Sequence, residues 1–316
     1  MNALSLSRHY YLETADPILR RDFPELYPRL AAGLFGNGSE CFGCDDAVSR
    51  DHDWGVDFFI WTDEKDKGAH AALSQWKQEL LRALPPPYRR AQSEHGAVVD
   101  VMTYGDCFRR LIGYEAGPKT LSEWMRVPEN NLAMATNGDV FYDGPGTVTE
   151  IRERLKGHYP LDLLKAKLAA RCAAMAQTGQ YNLERTYRRG DWVTYRNILS
   201  RFTEQAVYAV FLLNRVFMPY YKWAYKKMAA LPLLGQSMAP LLEIIALSPI
   251  GAEPDHRRIV ETVESLCAMI SKELHRQNFV HTNETFLTVH AGILLQSIED
   301  VILRTLPMHA LVTGVI

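Results

Sequence analysis

The chain has 316 residues, 47% hydrophobic and 23% charged, with 35 Lys+Arg against 37 Asp+Glu and a formal net charge of -2. These values exclude a disordered tail protein, and 20 Gly with 16 Pro exclude a collagen-like or low-complexity chain. The length fits two domains, each able to bury a core, and near-neutrality excludes a uniformly basic nucleic-acid binder.

From the N-terminus, MNALSLSRHYYLETADP lacks a basic region ahead of an apolar core, so no signal peptide is expected. Pro17 to Ala32 carries Ile18, Leu19, Phe23, Leu26 and Leu30 at helical spacing and reads as a helix leading into GLFGNGSECFG. DHDWGVDFFIWT then reads as a strand, and about His70 to Leu84 as a helix stopped by Pro85, Pro86 and Pro87. GAVVDVMTYG, between Gly96 and Gly105, reads as a second buried strand, and TNGDVFYDGPG as a turn and strand pair. From Ile151 onward the pattern is helical: roughly 161–178, 191–218, 222–231, 236–247, 255–277 and 284–305. The expected architecture is α+β, a mixed sheet flanked by helices over 1–150, followed by an all-helical domain over 151–316.

Five cysteines, Cys41, Cys44, Cys107, Cys172 and Cys267, form a sparse odd set that fits reduced thiols. No uncharged apolar run of roughly 18 residues occurs, since the best one, from Ala206, is broken by Arg215 and Pro219. The expectation is a soluble, cytoplasmic protein without a membrane partner.

The stretch from Gly36 to Asp57, GNGSECFGCDDAVSRDHDWGVD, carries the chemistry. Gly38 would let a phosphate approach the backbone, and the Ser39 hydroxyl with nearby amides would hold a triphosphate. Asp51 and Asp53, two apart on a strand, would face one site, and Asp100 from the neighbouring strand would complete a clamp for two Mg2+ ions, with Mn2+ a substitute. An acid amid Val98, Val99, Val101 and Met102 is costly to bury without such a partner.

Gly38-Ser39, Asp51-x-Asp53 and Asp100 together resemble the nucleotidyltransferase superfamily, which includes DNA polymerase beta and the kanamycin nucleotidyltransferases. His52 stands where that family usually has an aliphatic residue, and Trp54-Gly55 replaces its next apolar position. EWMRVPENNLAMATNGDVFYD, GQYNLERTYRRGD and FLLNRVFMPYYKW look like a bacterial branch known only as a domain of unknown function with a C-terminal helical domain. That similarity covers roughly residues 30 to 235. The resemblance implies transfer of a nucleoside monophosphate from a nucleoside triphosphate to an acceptor hydroxyl, releasing pyrophosphate. Asp51 and Asp53 would hold both ions, while Asp100 would ligate on the acceptor side and help deprotonate the hydroxyl. An inter-domain cleft is expected, where Lys222 would reach the triphosphate and Arg185 and Arg215 would be further contacts.

A small-molecule acceptor is favoured. The alternatives are a nucleotide-binding regulatory or interaction module without turnover and an RNA-end nucleotidyltransferase. Other readings fail on spacing. Counted from Asp51, an EF-hand loop would need Gly and Glu where Val56 and Thr62 stand, and the glycine stretch lacks a Walker Gly-Lys-Ser/Thr. Cys41-x-x-Cys44 has no second pair to complete a zinc site, and His256, His275, His281 and His290 lack metalloprotease spacing. Glu40 reads as a helix cap, and Asp45, Asp46 and Asp57 as loop or outward-facing acids. By segment, residues 1–150 carry 15 basic and 23 acidic side chains (net -8), 151–230 carry 15 and 5 (+10), and 231–316 carry 5 and 9 (-4).

Overall fold

The computed structural model describes residues 2–48, 54–89 and 101–307. The backbone divides into two compact units, Met1–Lys119 with Val127–Gly157, and Thr120–Arg126 with His158–Ile316. Position 150 lies inside a helix of the first unit, which continues to Gly157.

The first unit opens with α1 (Ala3–Tyr10), which passes through a π-helical turn into α2 (Asp16–Asp22). The helix expected to reach Ala32 stops at Asp22. Pro24 and Pro28 have no N–H to donate, a short 3-10 turn spans Tyr27–Arg29, and the chain extends into β1 (Ala31–Leu34). There follow β2 (Phe59–Thr62), α3 (His70–Arg82), β3 (Val101–Thr103) and α4 (Tyr104–Ile112). Next come α5 (Leu121–Arg126), which clusters with the second unit, then α6 (Glu129–Thr136), β4 (Asp139–Asp143) and α7 (Thr147–Lys156).

The sheet order is β3-β2-β1-β4, with β2 and β3 parallel and β1 antiparallel to both of its neighbours. The fold is α+β, a small mixed sheet flanked by helices. β1 is central and made of small residues because its neighbours crowd it. A Cβ at Gly33 would lie 2.9 Å from the Val140 α-carbon and 3.2 Å from the Trp61 ring. Leu19, Leu30, Phe58, Ile60 and Leu73 pack around the buried Tyr11 to form the core.

β2 starts at Phe59, later than the alternation suggests. The Asp57 amide donates to Ser7 Oγ (3.1 Å) and the Phe58 amide to Asp57 Oδ1 (2.8 Å), so side chains take the place of a strand partner. Nor is Asp57 an outward-facing acid, since it pairs at 2.7 Å with Lys77, whose side chain is 2% exposed. The Lys77 ammonium also lies 5.2 Å from the Phe58 ring centroid, so packing shields the pair. Asp45 is buried as well and accepts from the Ala3 amide at 2.7 Å, at the start of α1.

In the second unit, α8 (Leu161–Met175) continues through a π-helical stretch (Ala176–Asn182) into α9 (Leu183–Arg189). The chain reverses at Gly190 (φ +64), and α10 (Trp192–Leu213) returns against α8. The remaining helices are α11 (Tyr221–Ala229), α12 (Gly235–Leu247), α13 (Glu253–Arg276), α14 (Leu287–Gln296) and α15 (Val301–Thr305). One helix expected over 284–305 is therefore two. The Asp162 carboxylate accepts the amides of Glu299 (3.0 Å) and Asp300 (2.8 Å), and Asp300 caps α15, which together interrupt it. Among the described residues no helix is long and apolar enough to cross a membrane.

The Lys77–Asp57 pair gives a stability prediction. Asp57→Ala removes this carboxylate from beside a buried ammonium and should cost about 3 kcal/mol in urea denaturation, while the double change Asp57→Leu/Lys77→Met should restore most of it. A loss under about 0.5 kcal/mol would show that water screens the pair.

Candidate functional site

Sheet polarity decides what meets at the candidate site. β1 ends at Leu34, opposite Asp139, the first residue of β4. Gly33 faces Phe59, the first residue of β2, and Ile60 faces Val101, the first residue of β3. One end of the sheet therefore carries the exit from β1 into the Gly38-Ser39 loop and the entries to the other three strands.

The glycine loop is pinned there by side chains that its own sequence does not announce. The Gly36 amide donates to Asn137 Oδ1 at 2.8 Å, and Asn137 Nδ2 donates to the Gly36 carbonyl at 2.7 Å. The Gly138 amide donates to the Cys41 carbonyl at 2.8 Å. Asn137 is set in turn by Arg152, 3% exposed on α7, whose guanidinium donates to the carbonyls of Ala135 (3.0 Å), Thr136 (3.3 Å) and Asn137 (2.5 Å). The Arg152 guanidinium also lies 4.4 Å from the Phe35 ring centroid, and burial pushes its pKa down to about 10.

Within the loop, Ser39 precedes a 3-10 turn (Glu40–Phe42), and its side chain makes no capping bond. The amides of Asn37, Gly38 and Ser39 donate to no described residue, which leaves three consecutive N–H groups for an acceptor. Glu40 is the acidic residue in the first turn of that 3-10 helix. It is 3% exposed, and its carboxylate lies where a Cβ of Gly38 would stand. Cys41 and Cys44 are buried thiols beside this turn, and the other three cysteines are buried thiols too.

Asp51, Asp53 and Asp100 lie outside the described residues. In the sequence Asp53 comes six residues before β2, and Asp100 directly precedes β3. Among the described residues no group of three or more His, Cys, Asp or Glu side chains could hold a metal ion.

The other candidate side chains belong to the second unit. Arg185, exposed on α9, stacks its guanidinium 3.9 Å above Tyr181. Arg215 follows α10 in a left-handed conformation (φ +55), 5.5 Å from the Phe279 ring centroid, with its pKa lowered by burial. Lys222, exposed on α11, sits 4.9 Å from the Trp223 ring centroid. Arg185 lies on α9, before α10, and Arg215 follows the end of α10.

Gln180 and Asn214 act as fasteners. Gln180 donates to Glu264 and accepts the Leu287 amide, while Asn214 exchanges hydrogen bonds with both the carbonyl and the amide of Leu233. His256 joins three helices, with Nδ1 2.9 Å from the Tyr195 hydroxyl and Nε2 2.6 Å from Glu184, under a stacked Tyr187 ring.

His158 was not singled out by the sequence reading. It is 4% exposed, adopts a left-handed conformation (φ +69), and stacks on Phe217 with ring centroids 4.5 Å apart. Burial, reinforced by the charges of Arg215 and Lys167, drives its pKa down to about 3. Arg152 did leave a trace in the sequence, because it shares a helical stripe with Val148, Ile151 and Leu155. A cation inside an apolar stripe is the signal. Asn137 left only the turn dipeptide Asn137-Gly138.

A family model described as a domain of unknown function, DUF4037, matches residues 124–224. The matched region contains Asn137, Arg152, His158, Arg185, Arg215 and Lys222, and stops short of the glycine loop. No curated protein and no solved structure matches the chain significantly.

Two measurements test these assignments. Arg152→Met strands three carbonyls and should cost about 3 kcal/mol, with faster hydrogen exchange at the Gly36 amide; unchanged exchange there would show that the loop is held without Arg152. The second concerns acid. Because His158 titrates near pH 3 in the fold against an ordinary 6.5, only the unfolded chain takes up this proton in between. Its contribution is therefore complete above pH 6.5 and falls by up to about 1.4 kcal/mol per pH unit below it. His158→Phe should flatten the stability profile between pH 6.5 and 5; an unchanged slope would show that His158 protonates in the native state.

Proposed function

We propose that the first unit is a metal-dependent nucleotidyltransferase that moves a nucleoside monophosphate from a nucleoside triphosphate to an acceptor hydroxyl on a small molecule, with release of pyrophosphate. The observation that carries this reading is the sheet end itself. The glycine loop leaves β1 there, and the segments bearing Asp51, Asp53 and Asp100 enter β2 and β3 from the same end. Asn137 and Arg152 brace the loop while the amides of Asn37, Gly38 and Ser39 keep their hydrogens for an acceptor, as a phosphate site requires.

Three carboxylates form an all-oxygen donor set, which suits Mg2+ and also admits Mn2+. Bound there, a pair of such ions would neutralise phosphate charge and favour in-line displacement. The chain's own groups do the rest. The loop amides fix the triphosphate, the Ser39 hydroxyl gives one more donor, and Asp100 accepts the proton of the attacking hydroxyl. The new bond joins that oxygen to the α-phosphorus, and the α–β bridging oxygen leaves with pyrophosphate.

Calorimetric titration with ATP or GTP tests the reading. Wild type should bind in the presence of Mg2+ and not in EDTA, and Asp53→Ala should bind at least tenfold more weakly. No heat from any of the four nucleotides with Mg2+ would overturn it. Binding without pyrophosphate release on addition of a small-molecule cell fraction would favour a regulatory module over an enzyme.

A further inference from the structure

The start of α11 presents an aromatic and basic surface that nothing in the transfer reaction uses. Tyr220 is 46% exposed and Tyr221 72%, with their ring centroids 4.3 Å apart and tilted by 46°. The ammonium groups of Lys222 and Lys226 lie 4.9 Å and 5.8 Å from the Trp223 ring centroid, and the Tyr225 ring, 37% exposed, continues the same face. Three of the largest exposed rings of the second unit thus fall within six consecutive residues.

The sequence around them is basic. No acid occurs in the sequence between Glu204 and Glu243, a span that holds Arg215, Lys222, Lys226 and Lys227. Glu243 borders the patch, where its carboxylate accepts the Tyr225 hydroxyl at 2.6 Å. The buried residues of α11 are Ala224 and Met228, so its apolar side is already used in the core. What remains outside is rings with polar edges and ammonium groups, a poor wedge for a lipid bilayer.

We propose that this face binds single-stranded nucleic acid, with bases stacking on Tyr220 and Tyr221 and phosphate taken by Lys222. Aromatic planes accept any base, and lysines beside them supply sequence-independent attraction that is lost as salt rises. The surface lies wholly in the second unit, and its occupancy does not depend on nucleotidyl transfer.

The test is fluorescence anisotropy on the full chain without nucleotide, using labelled U12 RNA and T12 DNA from 50 to 300 mM salt, with phosphatidylserine vesicles and heparin in parallel. U12 should bind with an affinity that falls steeply with salt. Tyr221→Ala should weaken it about tenfold. Lys222→Ala should lower the slope of log affinity against log salt by about 0.7, the effect of one phosphate contact, while Lys272→Ala on α13 should change neither. The proposal is overturned if neither oligonucleotide binds at 50 mM salt, if vesicles bind and oligonucleotides do not, or if heparin competes while Tyr221→Ala leaves U12 affinity unchanged. The transfer reading stands or falls separately, on the Mg2+-dependent nucleotide titration.

Discussion

The buried guanidinium of Arg152 is the constraint on which the candidate site of the first unit depends. A cation taken out of water costs several kcal/mol unless its donors are used, and here they are used on three successive carbonyls. Those carbonyls end α6 and enter β4, so the guanidinium acts as the cap that α6 lacks in its own sequence. Its flat face rests on Phe35, the first residue beyond β1. One side chain therefore fixes the end of one strand against the beginning of another, and Asn137, held between them, transmits that order to Gly36.

This bracing has a chemical consequence. A loop whose amides make no internal hydrogen bonds has little of its own to keep it in place. Here the support comes from outside the loop. Asn137 anchors Gly36, and the Cys41 carbonyl receives Gly138, so both ends are tied while Asn37, Gly38 and Ser39 between them keep their N–H groups. The small residues of β1 serve the same arrangement, because Ala31, Ala32 and Gly33 let two neighbouring strands close on it from both sides.

Much of this architecture was legible in the sequence, and the exceptions share a physical cause. The helical half, the α3 helix stopped by its prolines, and the strands at Phe59–Thr62 and Asp139–Asp143 follow from periodicity and turn residues. β1 did not, since alanines and a glycine carry no strand signature until neighbours crowd them. Asp57 and Asp45 lie in loops, as their surroundings suggest, yet both are drawn in from solvent. An acid beside a turn looks solvated, and only distant partners, Lys77 and the Ala3 amide, draw these two inward. Of the site, the glycine loop could be read, whereas its supports could not, because Asn137 and Arg152 lie about a hundred residues downstream and act through backbone groups that no spacing rule records. Gln180 and Asn214, polar residues inside two of the segments that carry the resemblance, fasten helices.

The net charge of -2 conceals an electrostatic division that bears on mechanism. A segment of net -8 that holds Asp51, Asp53, Asp100 and a Glu40 carboxylate against the phosphate loop repels a free triphosphate. Amides alone do not offset that repulsion, because each carries only a partial charge. A polyanion that approaches this loop is therefore disfavoured unless it brings positive charge with it. The +10 segment meets the opposite requirement. Its arginines and lysines are displayed on aromatic rings, as at Arg185 over Tyr181 and Lys222 over Trp223, which suits extended polyanions with planar groups better than a compact metal-bound phosphate. The near-neutral total is thus a cancellation between segments of opposite sign, and carries no chemical meaning of its own.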